Sequence, residues 1–394
     1  MSPRDADWTR LPGAVVPFDW AAFVGKYRLL LREEGDLRAV AGQMAFRLAL
    51  LAVGQAGWAI DELAARGWRQ ARCLGPLFIL GHQRSGTTFH HRLLAKDRTH
   101  ARALALHEML LPAASLQRAL ARLGAWDDRR GGGLHKWLAG TEERLFGPLD
   151  DIHRVRFAEV EEDEFVLWGI FASAMCANDS PSSTARRDLD GLRSFHDWPQ
   201  DRQARALGWY RACLLKKLHR EPPAAGEPAW IVSKNPAFTH KVPELLRVFP
   251  EARFIYHVRS PLATIPSRLS LIQAIWRRRF PGFTKMTPAQ VEVIVADSLR
   301  TYLSAETAAR ALPGDRWLVV RYEDLTRDPR GTVESVYRRF GLPGPDANLA
   351  AALSELAGGK KRHESAHRYD LAEFGLAEEV LREKLRVVFD RYGF

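Results

Sequence analysis

The chain has 394 residues, of which 46% are hydrophobic and 27% are charged. These proportions are ordinary for a globular protein and exclude a disordered chain, a collagen-like repeat and a low-complexity array. Lysine and arginine number 58 against 47 aspartate and glutamate residues, so the formal net charge is +11. Such a charge favours an anionic partner: a nucleic acid, an acidic membrane surface or a phosphorylated ligand.

The start of the chain does not read as a targeting signal. The first twenty residues include Arg4, Asp5, Asp7 and Arg10 and contain no apolar core, unlike a secretory signal peptide. The longest charge-free apolar run near the start, residues 48–60, has thirteen residues, whereas a spanning helix needs about 20. Three widely separated cysteines favour free thiols in a reducing compartment. We therefore expect a cytoplasmic protein with no transmembrane segment.

Residues 1–74 are predicted to form a helical extension packed on the core. Apolar residues recur at steps of three and four on one helical face, which consists of Leu37, Val40, Met44, Leu48 and Leu51. The alternative is an interfacial amphipathic helix, since Arg38 and Arg47 flank that face. Residues 17–70 would then contact a membrane surface from one side.

From residue 75 to 394 the pattern predicts an α/β domain with a parallel sheet flanked by helices. Short apolar runs typical of buried strands occupy residues 77–80, 230–232, 254–258 and 318–320. Helical periodicities lie between and after them, for example at 291–302 and at 333–340, where Asp328 is the expected cap and Pro329 lies in the first turn. Strands alternating with helices favour parallel pairing through right-handed crossovers.

A glycine loop follows the first of these strands. The spacing of Gly81 and Gly86 matches a P-loop, in which backbone N–H groups and the next helix hold a phosphate-sized anion. A nucleotide triphosphatase has lysine where this chain has Thr87, and the cation here is Arg84, inside the loop. Without that lysine and a plain magnesium ligand, γ-phosphate transfer lacks its charge neutralisation. A purely structural turn is the alternative.

The loop resembles that of the PAPS-dependent sulfotransferases (PAPS is 3′-phosphoadenosine 5′-phosphosulfate). The similarity is closest to a broad bacterial branch with a P-x-R-S-G-T-T-like loop, and Gln83 stands where proline is common. It implies the sulfotransferase fold, with the 5′-phosphosulfate bound by Gln83, Arg84, Ser85, Gly86, Thr87 and Thr88. It also implies that Arg84 stabilises charge on the bridging oxygen and that no metal is required.

A second anion site is predicted at the end of the strand at 254–258. Arg259 is followed eight positions later by Ser267, and the carboxyl ends of strands are where open α/β sheets bind ligands. The resemblance implies that this pair binds the 3′-phosphate of PAPS; the alternative is a surface ion pair. The resemblance further implies that Tyr322, in an R-Y-E-D-L segment, contacts the adenine; the alternative is a core aromatic.

Further residues follow from the resemblance. Lys234 in the segment Lys234-Asn235-Pro236 is similar to a lysine near the reacting groups, the alternative being an exposed lysine. The basic run at 358–363 loosely resembles a loop that closes over the 3′-phosphate. This similarity makes Lys360 and Lys361, with neighbouring Arg362, candidates for cofactor contact; a solvated run is the alternative.

The predicted general base is Glu108. The chain after the loop helix is expected to return to the sheet edge through an extended run at 103–106, with Glu108 at its end. In an extended run His107 would point to the opposite face, so one of the two faces the cofactor. The branch that this chain resembles places Glu there. The alternative is that Glu108 pairs with an arginine.

The function expected from the resemblance is sulfuryl transfer from PAPS to a hydroxyl or amine of a small molecule, lipid or glycan, with 3′,5′-ADP as product. The alternative is a P-loop nucleotide kinase or NTPase, which the absent loop lysine disfavours. A basic nucleic-acid-binding module is disfavoured because its motifs are absent and the charges are spread along the chain. The acceptor and the oligomeric state are not specified by the sequence. Four tryptophans could line an acceptor pocket or belong to the core: Trp126, Trp137, Trp168 and Trp198.

Overall fold

The computed structural model of the chain describes residues 6–33, 37–73, 75–150, 154–224, 227–280, 282–358 and 370–394. Within these ranges the strands form a parallel sheet in the order β2-β3-β1-β4-β5. The strands are β1 (Leu77–Gly81), β2 (Ala101–Arg102), β3 (Trp230–Lys234), β4 (Arg253–Val258) and β5 (Trp317–Arg321).

Helices make up most of the remaining described chain. In chain order they are α1 (Trp20–Glu33), α2 (Leu37–Ala64), α3 (Thr87–Leu94), α4 (Leu106–Leu110), α5 (Ala114–Asp128), α6 (Gly133–Phe146), α7 (Glu164–Gly169), α8 (Pro181–Thr184), α9 (Asp190–Arg193), α10 (Gln200–Arg220), α11 (Val242–Val248), α12 (Pro261–Arg279), α13 (Pro288–Ala311), α14 (Tyr322–Arg327), α15 (Pro329–Arg339), α16 (Ala347–Gly358), α17 (Glu378–Lys384) and α18 (Arg386–Tyr392).

The predicted α/β fold with a helix-flanked parallel sheet is confirmed, and all four predicted strands are present. β1 lies between β3 and β4, with Ile79 opposite Lys234 on one side and Ile255 on the other. Every residue of β1 is buried, which explains its uninterrupted apolar run. The edge strand β2 has only two residues, too short to leave an apolar pattern in the sequence.

Helix α15 shows how the core is closed over one side of the sheet. The Asp328 side chain accepts a hydrogen bond from the Gly331 backbone N–H at 2.8 Å, as predicted for the helix cap. The helix then places Val333 and Val336, both fully buried, in one apolar cluster with Ile79 of β1. Local capping and apolar periodicity therefore act together here.

The chain divides into two compact units. Residues 1–73 and 104–222 form the first, called the helical unit below, and residues 74–103 and 223–394 form the second, called the sheet unit. The predicted extension, residues 1–74, thus falls almost entirely in the helical unit together with residues 104–222. The domain boundary at residue 75 stays a prediction.

Helix α2 confirms the predicted helix, and the expected face is confirmed in part. Val40 is buried, and Met44 and Leu51 pack against the same apolar cluster. Leu37 and Leu48 are exposed, and Arg47 is buried instead of flanking the face. By length and composition alone, α2 is long and apolar enough to cross a membrane, and its apolar stretch is mostly exposed. The thirteen-residue run did not indicate this, because Arg47 interrupts the apolar sequence without reaching the helix surface.

Candidate active site

The glycine loop at the carboxyl end of β1 has the backbone conformation of an anion site. Gly81, Arg84 and Gly86 have φ values of 130°, 71° and 83°. When residues in this left-handed conformation alternate with right-handed ones, successive backbone N–H groups point towards one spot. Helix α3 begins at Thr87, so the positive end of its dipole lies at the loop. The loop can therefore hold an anionic group.

The two glycines are required by close contacts inside the sheet unit. A Cβ atom on Gly81 would lie 2.3 Å from the carbonyl oxygen of His257. A Cβ atom on Gly86 would lie 3.0 Å from the ring of Tyr322. The Gly81 N–H donates to Oγ1 of Thr239 at 3.0 Å. The loop is thus held by β4, by α14 and by the turn that follows β3.

Two arginines and a serine meet at this loop. Arg84 donates from Nε to Oγ of Ser267 at 3.0 Å. Arg259, directly after β4, donates from Nη1 to the carbonyl oxygen of Arg84 at 2.9 Å. Its guanidinium carbon lies 4.0 Å from the ring centre of Tyr322. The structure therefore brings together four predicted site residues that are up to 238 positions apart in the sequence.

Ser267 and Tyr322 differ in exposure. Ser267 lies in the second turn of α12 and is buried. Tyr322 begins α14 directly after β5 and is half-buried. Tyr322 is therefore not a core aromatic, and its ring is available beside Arg259.

A layer of histidines beneath the loop was missed by the sequence analysis. His257 lies in β4, with Nδ1 3.2 Å from the carbonyl oxygen of Ser85 and Nε2 2.8 Å from Nδ1 of His90. His82 stacks on Tyr302 with ring centres 5.2 Å apart. The Tyr302 hydroxyl donates to the carbonyl oxygen of Arg259 at 2.8 Å. These rings position the loop, and the available sequence signal was the presence of histidines inside both predicted anion motifs.

The histidines of this layer are neutral at physiological pH. Burial lowers the pKa of His257 to about 4. Burial, with a smaller contribution from the positive charge of Arg268, lowers the pKa of His82 to about 3. Burial and the neighbouring His257 hold the pKa of His90 well below its usual value. The layer therefore supports the loop through hydrogen bonds and stacking and adds no positive charge.

Lys234 ends β3 one strand away from the loop, opposite Ile79. Its side chain is fully buried, so the alternative of an exposed lysine is wrong. The next residue, Asn235, caps the following 3-10 turn by accepting from the Ala237 N–H at 3.0 Å. This shows that asparagine serves locally where the resemblance expected serine. The role of Lys234 near the reacting groups stays a prediction.

Glu108 belongs to the helical unit, where it lies in α4. The predicted extended run at 103–106 is wrong at its end: Ala105 is extended and bridges Val160, but Leu106 already begins α4. The Glu108 carboxylate accepts from the Ala105 N–H at 2.8 Å and from Nζ of Lys217 at 3.0 and 3.1 Å. It also pairs with Arg220. Glu108 thus has the ion-pair contact of the alternative, and its role as base stays a prediction.

The remaining predicted cofactor contacts, Lys360 and Lys361, lie outside the described residues, as does Arg362. Among the residues that are described, no group of three or more His, Cys, Asp or Glu side chains could hold a metal ion.

The helical unit contains a cavity of about 860 Å³ beside α1. Its wall is mostly apolar and includes Phe18 and Trp198, with Arg28 and Arg32 among the charged residues. Of the four tryptophans considered for an acceptor pocket, Trp198 thus lines a cavity. Trp126 and Trp137 are exposed and so do not belong to the core.

Comparison with known proteins agrees with this geometry. A model of the Sulfotransferase family matches residues 76–346. The omega-hydroxy-beta-dihydromenaquinone-9 sulfotransferases Stf3 of Mycobacterium bovis and Mycobacterium tuberculosis are each 24% identical over 335 residues, which are 81% of this chain and 75% of the relative.

Two solved structures show the same fold. Sulfotransferase STF9 from Mycobacterium avium superposes with a TM-score of 0.69 at 19% identity, covering 90% of this chain and 85% of the other. Sulfotransferase STF1 from Mycobacterium tuberculosis gives 0.61 at 22% identity, covering 91% and 92%. The region matched by the family model includes both the glycine loop and the Arg259 segment. The chain therefore belongs to the Sulfotransferase family.

Proposed function

We propose that this sulfotransferase moves a sulfuryl group from PAPS to a hydroxyl or amine of its acceptor and releases 3′,5′-ADP. One observation carries the proposal: the glycine loop and the Arg259–Ser267 segment are joined by direct hydrogen bonds, Arg84 to Ser267 and Arg259 to the Arg84 carbonyl. Two anion-binding elements in contact fit a ligand with two separate anionic groups. PAPS carries such groups at its 5′ and 3′ positions.

The residues present fit that donor. The left-handed turns at Arg84 and Gly86 and the start of α3 suit the phosphosulfate. Arg259 and Ser267 suit the second phosphate, and the half-buried ring of Tyr322 suits the adenine. When bound, PAPS supplies a sulfuryl group attached to a phosphate leaving group.

The roles of the chain's own residues follow from charge and position. Arg84 and the loop amides would stabilise negative charge on the bridging oxygen. Glu108 would accept the acceptor's proton at a carboxylate oxygen. Lys234, fully buried at the end of β3, would add positive charge. The predicted independence from metals and the cytoplasmic location remain part of the proposal.

For the acceptor we favour the hydroxyl of an apolar lipid over a small polar molecule or a glycan. Two relatives are named for a hydroxylated menaquinone derivative. The cavity in the helical unit has a mostly apolar wall and a volume in the range of small-molecule sites. A screen of hydroxylated quinones, sterols and sugars with radiolabelled PAPS would identify the class, and transfer to sugars alone would contradict our choice.

The donor is tested by calorimetric titration with 3′,5′-ADP, ADP and ATP. We expect 3′,5′-ADP to bind much more tightly than ADP, because Arg259 and Ser267 then have a phosphate to bind. Arg259→Ala should lose about 1.5–3 kcal/mol of 3′,5′-ADP binding, the range for hydrogen bonds to charged groups. Arg310→Ala, an exposed arginine in α13 of the same unit, is the control and should bind normally. Equal affinity for ADP and 3′,5′-ADP, or preference for ATP, would overturn the proposal.

A further inference from the structure

Helix α2 buries charged side chains and exposes a broad apolar side. Every exposed residue between 39 and 60 is alanine, glycine or a larger apolar residue. Phe46, Val53 and Ile60 are 58%, 47% and 52% exposed. In contrast, Arg47 and Asp61 are 5% and 0% exposed. Surface helices of soluble proteins normally show the reverse arrangement.

The buried charges hold the helix in this orientation. Arg47 donates from Nη1 to the backbone carbonyl oxygen of Trp168 at 2.8 Å. Its guanidinium carbon lies 3.2 Å from the centre of the Trp168 ring. Asp61 pairs with Lys216 at 2.7 Å. Turning α2 to hide its apolar side would separate these groups, and an unpaired buried charge is strongly destabilising. The apolar exposure is therefore a fixed property of the helical unit.

The exposed apolar side of α2 is wider than a helix–helix seam. Phe46, Val53 and Ile60 follow one another at seven-residue intervals and lie on one line along the helix. A second exposed line runs beside it and consists of Ala41, Ala45, Leu48 and Ala52. A partner helix covers one narrow stripe, whereas a bilayer surface covers the whole side of a helix about 42 Å long.

The turn between α5 and α6 adds the charge and the aromatic residues of a membrane interface. α5 packs against α2, and α6 packs against α5. Residues 118–137 contain five basic and two acidic side chains, a net charge of +3. Trp126 and Trp137 are 44% and 61% exposed, and the guanidinium carbon of Arg130 lies 4.3 Å from the ring centre of Trp126. Exposed tryptophans beside arginines are typical of proteins that lie in the headgroup region.

We infer that α2 and the α5–α6 turn form a docking surface for an anionic phospholipid bilayer, on which the helical unit lies without spanning it. A second copy of the chain would bring the same positive charges to the interface, whereas anionic headgroups complement them. The inference goes beyond the proposed function, and neither its observations nor its test depends on sulfuryl transfer. A docked helical unit would meet a lipid acceptor in its own bilayer.

The test is flotation of the full chain with vesicles of phosphatidylglycerol and phosphatidylcholine, compared with vesicles of phosphatidylcholine alone. We expect binding to the anionic vesicles that weakens with salt. Phe46→Glu with Val53→Glu should reduce binding roughly tenfold or more, because two negative charges enter the apolar side. Arg129→Gln with Arg130→Gln should reduce it by a similar factor, about fivefold for each charge lost.

Val380→Glu, at an exposed site on α17 of the sheet unit, is the matched control and should bind vesicles like the unmodified chain. An unchanged circular dichroism spectrum and an unchanged cooperative thermal transition show that each variant is folded. Absence of vesicle binding would overturn the inference. So would a dimer in light scattering that the Phe46→Glu, Val53→Glu variant converts to a monomer. Resistance to carbonate extraction from the vesicles would indicate a spanning helix and would also overturn it.

Discussion

Glu108 lies in a compact group of two acidic and two basic side chains. Lys217 and Arg220 contact both Glu108 and Glu221, and Lys217 is 2.7 Å from Glu221. His107 is adjacent, and burial together with the positive charges of Arg220 and Lys217 lowers its pKa. The group therefore offers a carboxylate and a neutral imidazole as candidate bases.

We predict that Glu108→Gln lowers turnover by about 10²–10⁴, the usual contribution of a general base, while 3′,5′-ADP affinity stays nearly unchanged. Glu221→Gln is the matched control, because it removes a carboxylate from the same ion-pair group without removing the predicted base. Steady-state kinetics and calorimetry measure both. If Glu108→Gln and Glu221→Gln behave alike, Glu108 is structural; if only His107→Gln loses turnover, the imidazole is the base.

The buried His257 makes the stability of the protein sensitive to acid. Its pKa is about 4 in the folded protein, because burial disfavours the charged ring, against about 6.5 in an unfolded chain. Between these two pH values the unfolded chain binds more protons than the folded one. The free energy of unfolding therefore decreases as the pH falls from 6.5 to 4, and His257 accounts for at most about 3 kcal/mol of that decrease.

Urea unfolding at a series of pH values measures this effect. We expect His257→Gln to have a shallower dependence between pH 6.5 and 4 than the unmodified chain. His196, about half exposed, provides the control, since His196→Gln should leave the slope unchanged. An identical slope in the His257 variant would show that this ring does not stay neutral in the folded state.

At the scale of elements, one carboxylate joins three helices of the helical unit. Asp61 of α2 accepts from the N–H groups of Ala114 and Ser115 at 2.6 and 2.8 Å, at the start of α5. It also binds Nζ of Lys216 in α10 at 2.7 Å. Asp61 therefore acts as an N-terminal cap supplied by a neighbouring helix and neutralises a buried cation.

We predict that Asp61→Asn destabilises the protein by about 3–5 kcal/mol, because Lys216 is left buried without its counter-charge. Combining it with Lys216→Met should recover part of the loss. The pair Asp201–Arg205 on the surface of α10 serves as the control, and Arg205→Ala should cost less than about 1 kcal/mol. Chemical denaturation of the three variants and the unmodified protein gives these differences, and a double variant no better than Asp61→Asn alone would refute the charge argument.

At the scale of the whole molecule, the two proposed ligands belong to different units. The proposed nucleotide site lies in the sheet unit, at the glycine loop and the Arg259–Ser267 segment. The proposed docking surface is built from α2, α5 and α6 of the helical unit. Ligands that bind different units should slow amide hydrogen exchange in different segments, because binding protects the amides that it orders.

We predict that 3′,5′-ADP slows hydrogen exchange in residues 81–90 and 257–267, whereas anionic vesicles slow it in residues 37–64. At about a hundredfold excess over its Kd, a ligand adds up to about 2.7 kcal/mol of stability, which is ample for detection by mass spectrometry. Vesicles of phosphatidylcholine alone are the control and should change neither region. Protection of residues 37–64 by 3′,5′-ADP without vesicles would contradict the assignment.

Much of the sheet unit follows from local sequence. Apolar runs of three to five residues predicted four strands, the spacing of Gly81 and Gly86 predicted the loop, and Asp328 predicted a helix start. Each of these signals works within a few residues, because strand burial, left-handed turns and helix caps depend on neighbouring positions. The structure brings Arg259 and Ser267, eight residues apart, into contact with the loop, and their binding of an anion stays a prediction.

The tertiary structure alone decided the features whose partners are distant in sequence. It revealed β2 by pairing two residues with β3, buried Lys234, joined His90 to His257 and placed Glu108 against α10. It also buried Arg47 and left Leu37 and Leu48 exposed, although the rest of the α2 face that periodicity predicts packs on the core. Periodicity records which residues share a face, but only packing and the pairing of buried charges determine whether that face meets the protein or its surroundings.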